Sequence, residues 1–275
     1  MSEQEETAEF ATTTHPTAKA FFDALDTRSS SSRQSLNLRR RVQSLGWRNR
    51  HSQAKYYPCT VNGIGFSVKQ VQRGEVDGTY GTGATVWPAA LVLIKYLERN
   101  PSLLQGKKVA DLGSGTGITS VASALLGASI VICTDGEDSV VQLAESNLQH
   151  VKQELTGDVL QSFSSEKFSV QRYWWGDDSM MGHQDCEVII VADCVLPKLY
   201  PIAPLVQAID ELLVSPTSVA ILSYEHRYYP DYHPRSKFEE LATQRGLLVE
   251  QISGTKLDPV YSVDDIEIWH VTRRE

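Results

Sequence analysis

The chain has 275 residues, 41% of them hydrophobic, which suffices for one packed domain of ordinary enzyme size plus an extension. No stretch reaches the roughly 18 apolar residues of a membrane helix. The acidic start, with Glu3, Glu5, Glu6 and Glu9, is wrong for a secretory or mitochondrial leader, so a cytoplasmic or nuclear protein is expected.

Residues 1–35 are rich in Glu, Thr and Ser and offer only Phe10 and the Phe21 to Leu25 cluster for burial, so they read as a disordered tail. Net charge is −8, yet residues 27–74 hold ten Lys or Arg and no Asp or Glu. With few stacking aromatics among them, Arg39-Arg40-Arg41 and Trp47 to His51 read as a solvated basic face rather than a nucleic-acid site. Within this basic segment, placed at 36–80, Val61, Ile64, Phe66, Val68 and Val71 alternate around Asn62-Gly63, which predicts a β-hairpin docked on the domain that follows.

That domain is expected over 81–275. After the loop Gly78 to Gly83, Pro88 starts a helix that runs to about Arg99, with Leu91, Ile94, Tyr96 and Leu97 facing inward. Val109 begins a strand that turns through Gly113-Ser-Gly-Thr-Gly117 into a helix over 118–126. Ile130 to Asp135 is the next strand, 137–150 an amphipathic helix, and Phe168 to Tyr173 a third strand ending in Trp174-Trp175-Gly176. Cys186 to Asp193 is apolar until its last acid, as in a strand buried on both faces of a parallel sheet. Helices over 199–214 and 237–244 and strands over 219–224, 247–252 and 266–271 follow, the final strand antiparallel to its neighbours. Cys59, Cys133, Cys186 and Cys194 have no metal-ligand spacing, so no disulfide and no metal are expected.

The chemistry concentrates at the glycine turn. A dinucleotide fingerprint runs G-x-G-x-x-G with pyrophosphate on the helix N-terminus; here the spacing is G-x-G-x-G, with Asp111 two residues ahead. An acid at that place repels pyrophosphate but attracts the cationic amino group of a methionyl moiety. Asp135, ending the next strand, is placed to accept hydrogen bonds from ribose hydroxyls. Together they favour S-adenosylmethionine over NAD. The expected fold is therefore α/β, a seven-stranded Rossmann-like sheet of the class I S-adenosylmethionine-dependent methyltransferases with an N-terminal β-hairpin extension.

Val86-Trp87-Pro88, Asp111 to Gly117, Thr134-Asp135 with Leu143 and Asn147, Trp175-Gly176, Ala192-Asp193-Cys194-Val195 and Ser223-Tyr-Glu-His-Arg227 stand in an order that resembles the family 16 protein methyltransferases, chiefly lysine methyltransferases of non-histone proteins. The likeness runs from about Tyr80 onward. It implies cofactor contacts from Trp87, Gly113, Ser114, Gly115, Asp135, Trp175 and Ala192, with Asp111 added from the turn chemistry. The family's substrate motif is Asp-x-x-Tyr or Asp-x-x-Phe; here Asp193-Cys194-Val195-Leu196 keeps the acid and lacks the ring, which Tyr200 is the candidate to supply.

Methyl transfer to nitrogen needs a neutral amine held in line with the leaving group, and orientation supplies most of the rate. Asp193 is assigned to bind and orient the incoming ammonium, and Glu225 to act as a second acid at the rim. The implied partner is a lysine-containing protein of the chaperone, ATPase or translation-factor kind, met by a monomer. Nucleic-acid and small-molecule methyltransferases are the rivals; an Asn/Asp-Pro-Pro-Tyr/Phe turn of the kind used on bases is missing, so nucleic acid is not expected. A non-catalytic scaffold that keeps the cofactor site is the reading from another class.

Overall fold

The computed structural model describes residues 46–72, 81–177, 185–197, 199–227 and 232–274. The expected tail over 1–35 and the Arg39 to Arg41 cluster lie outside them. Residues 44–275 form one compact unit.

The hairpin is present, with strands β1 (Tyr56–Val61) and β2 (Ile64–Lys69) joined by Asn62-Gly63. Both turn residues have positive φ, 49° and 76°, the conformation that a two-residue type I′ turn demands and that Asn and Gly tolerate. Its buried side chains, including Val61, Phe66 and Val68, belong to the same core as the following helix α1 (Pro88–Arg99), so the hairpin is continuous with the domain that begins after it.

The main sheet contains β3 (Lys108–Leu112), β4 (Ile130–Asp135), β5 (Phe168–Arg172), β6 (Val188–Ala192), β7 (Val219–Glu225), β8 (Leu247–Gln251) and β9 (Ile266–Arg273), in the order β5-β4-β3-β6-β7-β9-β8. The first five are parallel, and β9 lies antiparallel between β7 and β8. The remaining helices are α2 (Ile118–Leu125), α3 (Asp138–Glu154), α4 (Ile202–Leu212) and α5 (Pro234–Gln244).

Strand alternation divides the core. In β6, Val188 and Ile190 pack with α1 and α2 on one face, while Ile189 and Val191 pack with α4 and α5 on the other. A strand covered twice must be apolar at every position, which is why 188–191 shows no polar interruption. Burying each such Val or Ile contributes about 1.5–3 kcal/mol.

Asn147, fully buried on α3, fixes the hairpin to the glycine turn. Its side chain accepts from the Lys69 N–H at 2.8 Å and donates to the Lys69 and Thr116 carbonyls at 3.1 and 2.9 Å. The segment before β1 also meets the segment before β9. Trp47 donates from Nε1 to the Val260 carbonyl at 3.0 Å and packs on Tyr261, and Arg48 reaches Asp265 with bonds of 2.9 and 2.7 Å. Arg48, expected on a solvated basic face, is instead committed to internal ion pairs.

Candidate active site

The strand order reverses between β3 and β6, and the loops leaving β3, β4, β5 and β6 diverge there around a cavity of about 670 Å3. Such a switch point at the carboxyl ends of the strands is where open α/β sheets bind ligands. Trp87, Gly113, Ser114, Gly115, Asp135, Trp175 and Ala192, all expected from the sequence, line it together with Asp193 and Tyr200.

The glycine turn is built by exclusion. Gly113 has φ +70°, and a Cβ there would fall 2.7 Å from the Cys194 sulfur and 3.1 Å from the Trp175 ring. A Cβ on Gly115, φ +56°, would fall 2.8 Å from the Gly83 carbonyl oxygen. A Cβ at either place would collide with those atoms, so only glycine lets the turn lie this close to them. Asp135 is held at the end of β4 by the N–H groups of Gly115 and Glu137, at 3.1 and 3.3 Å. Burial pushes its carboxyl above the usual carboxylate range, and those N–H donors oppose the shift.

Asp111 departs from expectation. It is fully buried beneath the turn, where Thr119 and Ser120 each donate to Oδ2 at 2.6 Å, and it does not line the cavity. A strand residue between Ala110 and Leu112 must point to the opposite face from them, which here is the side of α2. Among the described residues Oδ1 has no hydrogen-bond partner, and burial raises the carboxyl to about 6.

The far wall is charged and aromatic. Asp193 follows β6 with φ +59°, a left-handed conformation that Asp adopts more readily than most residues. Its carboxylate, expected to wait for a substrate ammonium, is already held by Arg227: Nη1 donates to Oδ1 at 2.8 Å and Nη2 to Oδ2 at 2.5 Å. Oδ1 also accepts from the Glu225 N–H at 3.2 Å. A charge this deep requires a partner, and a forked guanidinium supplies a stronger one than a single ammonium. Burial raises the Asp193 carboxyl, and Arg227 holds it down against that effect. The Arg227 guanidinium also lies over the Trp87 ring, 5.6 Å from its centroid.

Glu225 is not among the described residues that line the cavity. It ends β7 and pairs with Arg48, so its expected role as a second acid at the rim gives way to a place in a chain of charges running Asp265, Arg48, Glu225, Arg227, Asp193. Tyr200 does reach the cavity, hydrogen-bonded to Thr82 and edge-on to Trp175 at 5.7 Å, beside Leu196. Thr82 in turn accepts from Trp87 Nε1 through its carbonyl at 2.9 Å. The buried Cys194 thiol points at backbone carbonyls, and burial pushes it well above its ordinary range. No group of His, Cys, Asp and Glu that could hold a metal occurs among the described residues.

Arg48, Arg227, Thr82, Gly83 and Asn147 thus act at the site or behind it without having been assigned there from sequence. For Arg227 a signal existed, since it closes the Ser223 to Arg227 motif at a strand end. For Arg48 there was none.

The doubly covered sheet, the glycine cradle and the acid ending β4 define the class: a Rossmann-like, class I methyltransferase. Residues 69–243 match the model of the lysine methyltransferase family Methyltransf_16, and the chain belongs to that family. It is 33% identical over 153 residues to protein N-lysine methyltransferase METTL21A of Danio rerio, covering 55% of this chain and 64% of the relative. With protein N-terminal and lysine N-methyltransferase efm7 of Schizosaccharomyces pombe it shares 27% identity over 189 residues, 65% of this chain and 70% of that one. The match to METTL21A therefore spans less than two thirds of that relative's length. The T. thermophilus 16S rRNA N2 G1207 methyltransferase, solved with AdoMet and guanosine, shares the fold at a TM-score of 0.52 and 16% identity, over 80% of this chain and 50% of that one. S-adenosylmethionine is the cofactor of this class, and the residues present fit it: a backbone cradle at Gly113 to Gly115, a carboxylate at Asp135 and aromatic walls at Trp87 and Trp175.

Proposed function

We propose that this protein transfers a methyl group from S-adenosylmethionine to a lysine side chain of another protein, acting as a monomer in the cytoplasm or nucleus. The observation that carries the reading is the acid of the family's substrate motif, Asp193, fixed by Arg227 in the lining of the cavity that the glycine cradle, Trp87 and Tyr200 also line. Family membership and the relatives named for lysine methylation support it. One relative is named for EEF1A, which favours a translation factor over a chaperone or another ATPase as the partner.

The bound cofactor supplies an electrophilic methyl on a sulfonium sulfur. Everything else falls to the chain. Asp135 and the Gly113 to Gly115 backbone orient the nucleoside and methionyl parts. On the other wall, the acceptor capacity left on Asp193 Oδ2 directs the amine, because each carboxylate oxygen can accept two bonds and Arg227 takes one. A lysine ammonium, with an ordinary pKa near 10.4, loses a proton to water before attack. The apolar and aromatic groups Leu196, Tyr200 and Trp87 favour that neutral form by limiting hydration.

The test is incubation of the purified chain with radiolabelled S-adenosylmethionine and a cell lysate. Label that survives nuclease, disappears with protease and is recovered as methyl-lysine after acid hydrolysis is the expected result. Recovery on an α-amino group instead would point to N-terminal methylation, and nuclease-sensitive label to nucleic acid.

A further inference from the structure

The charge chain behind Asp193 contains two acids that face one nitrogen. Arg227 Nη2 bonds Asp193 Oδ2 at 2.5 Å, and the same nitrogen lies 3.5 Å from Glu225 Oε2. Both acids are poorly hydrated, with side chains 2% and 13% exposed, so each needs a cation. What separates them is Arg48, whose Nη2 bonds Glu225 Oε1 while its Nη1 is anchored by both oxygens of Asp265. Arg48 lies outside residues 69–243, the stretch that matches the family, and so does Asp265. Trp47, beside it, is fastened to Val260 and Tyr261, which keeps the arginine from drifting.

We propose that Arg48 is a positioning residue for Asp193, acting through Glu225 and Arg227: by satisfying Glu225 it leaves the Arg227 fork to Asp193. Without Arg48, Glu225 would have Arg227 as its nearest cation and would draw it away from the motif acid. The five groups Asp265, Arg48, Glu225, Arg227 and Asp193 sum to one negative charge, which a substrate ammonium would neutralise. That last point rests on the proposed lysine methylation; the coupling of Arg48 to Asp193 does not. Among the described residues, the charged groups facing Asp193 are Arg227 and Glu225 from the end of β7 and Arg48 from the turn before β1, and its neighbour Cys194 is neutral.

The experiment follows the Asp193 carboxyl by NMR in the full chain labelled with carboxyl-13C aspartate, its signal assigned by its loss in Asp193→Asn. Arg48→Gln should raise the Asp193 titration midpoint by about one pH unit as the fork is diverted. The initial rate of tritium transfer from S-adenosylmethionine to lysate protein should fall roughly ten-fold, with S-adenosylhomocysteine affinity within about three-fold of wild type. The double variant Arg48→Gln/Glu225→Gln removes the competitor along with its partner and should return the midpoint and rate toward wild type. A purely structural role for Arg48 predicts no such rescue. An unmoved midpoint in Arg48→Gln, or a double variant no nearer to wild type than the single one, overturns the proposal. Should Arg48→Gln alone fail to fold, the double variant still decides: a wild-type midpoint supports the competition and a raised one refutes it. If the wild-type chain transfers no label, the lysine reading falls while the carboxyl titrations still settle the coupling.

Discussion

The two walls of the cavity are made by different means. Around the glycine turn, the surface is backbone: glycines with positive φ, carbonyls and N–H groups, and one aspartate held by two amides. Its parts lie within some two dozen consecutive residues. Around Asp193, the surface is side chain, and that acid is held by groups drawn from residues 48 to 265. Backbone walls are fixed by local geometry and tolerate little change at a few positions. Side-chain walls are fixed by charge balance, so a change at one member is felt by the others.

The largest effect should come from removing the central acid of the charged wall. Asp193→Ala is expected to cut methyl transfer by about a hundred-fold or more, because orientation acts on the transition state. S-adenosylhomocysteine affinity, read by calorimetry, should stay within a few-fold. Loss of cofactor binding in this variant would show that the two walls are not separable.

The backbone wall should break next most severely. Gly113→Ala must displace the Cys194 sulfur or the Trp175 ring and strain a left-handed backbone, so cofactor affinity should fall by roughly a hundred-fold. Gly63 has a similar φ of +76°, but a Cβ there would meet no atom within 4 Å, so Gly63→Ala should cost only about 1 kcal/mol of stability and leave affinity alone. Equal effects from the two would mean that strain, not the cradle, matters at Gly113. Asp135→Ala, which removes a charged acceptor rather than the cradle itself, should weaken S-adenosylhomocysteine binding by about 1.5–3 kcal/mol. Unchanged affinity would leave Asp135 a purely structural partner of Gly115 and Glu137.

Asp111 sharpens the comparison through pH. Its carboxyl is raised from 3.8 to about 6 in the folded chain, so the fold binds its proton more tightly than the unfolded chain does. The associated stability is present below pH 4 and is lost as pH rises through 6, a total of about 3 kcal/mol. Asp111→Asn stays neutral and should not show that loss. Urea denaturation of both proteins at pH 4 and pH 7 measures the difference, and a constant gap between them would mean that Asp111 does not titrate in this window.

The smallest effect is expected from deleting residues 1–43, because the described lining of the cavity runs from Gly81 to Tyr200. S-adenosylhomocysteine affinity should be unchanged. A large loss would show that residues 1–43 contribute to cofactor binding.

How much of the site could be read in the sequence follows the same division. The glycine spacing, Asp135 and the Trp87-Pro88 helix start are local signals, and all of them reach the cavity. The strands were legible because Val188 to Val191 and Ile130 to Cys133 are apolar in unbroken runs, and the hairpin because Asn62-Gly63 admits few other turns. Asp111 was misplaced because spacing gives the distance of an acid from the turn but not the face of the strand to which it points. Asp193 lines the cavity, but its partner was missed. Arg227 stands 34 residues away and Arg48 177 residues from Glu225, and no periodicity links them.

The position of β9 has a consequence for how this protein is made. Because β9 lies between β7 and β8 rather than at an edge, neither of those strands can complete its pairing until residues 266–273 have been synthesised. Until then the nascent chain displays the open flank of β7, an apolar strand with unsatisfied amides, which is the kind of surface that invites pairing with other chains. Asp265, the anchor of Arg48, arrives with the same segment. A stalled or truncated chain would therefore be both sticky and missing the last link of its charged wall, while an arrival of β9 closes the sheet and completes the acid's support in one event.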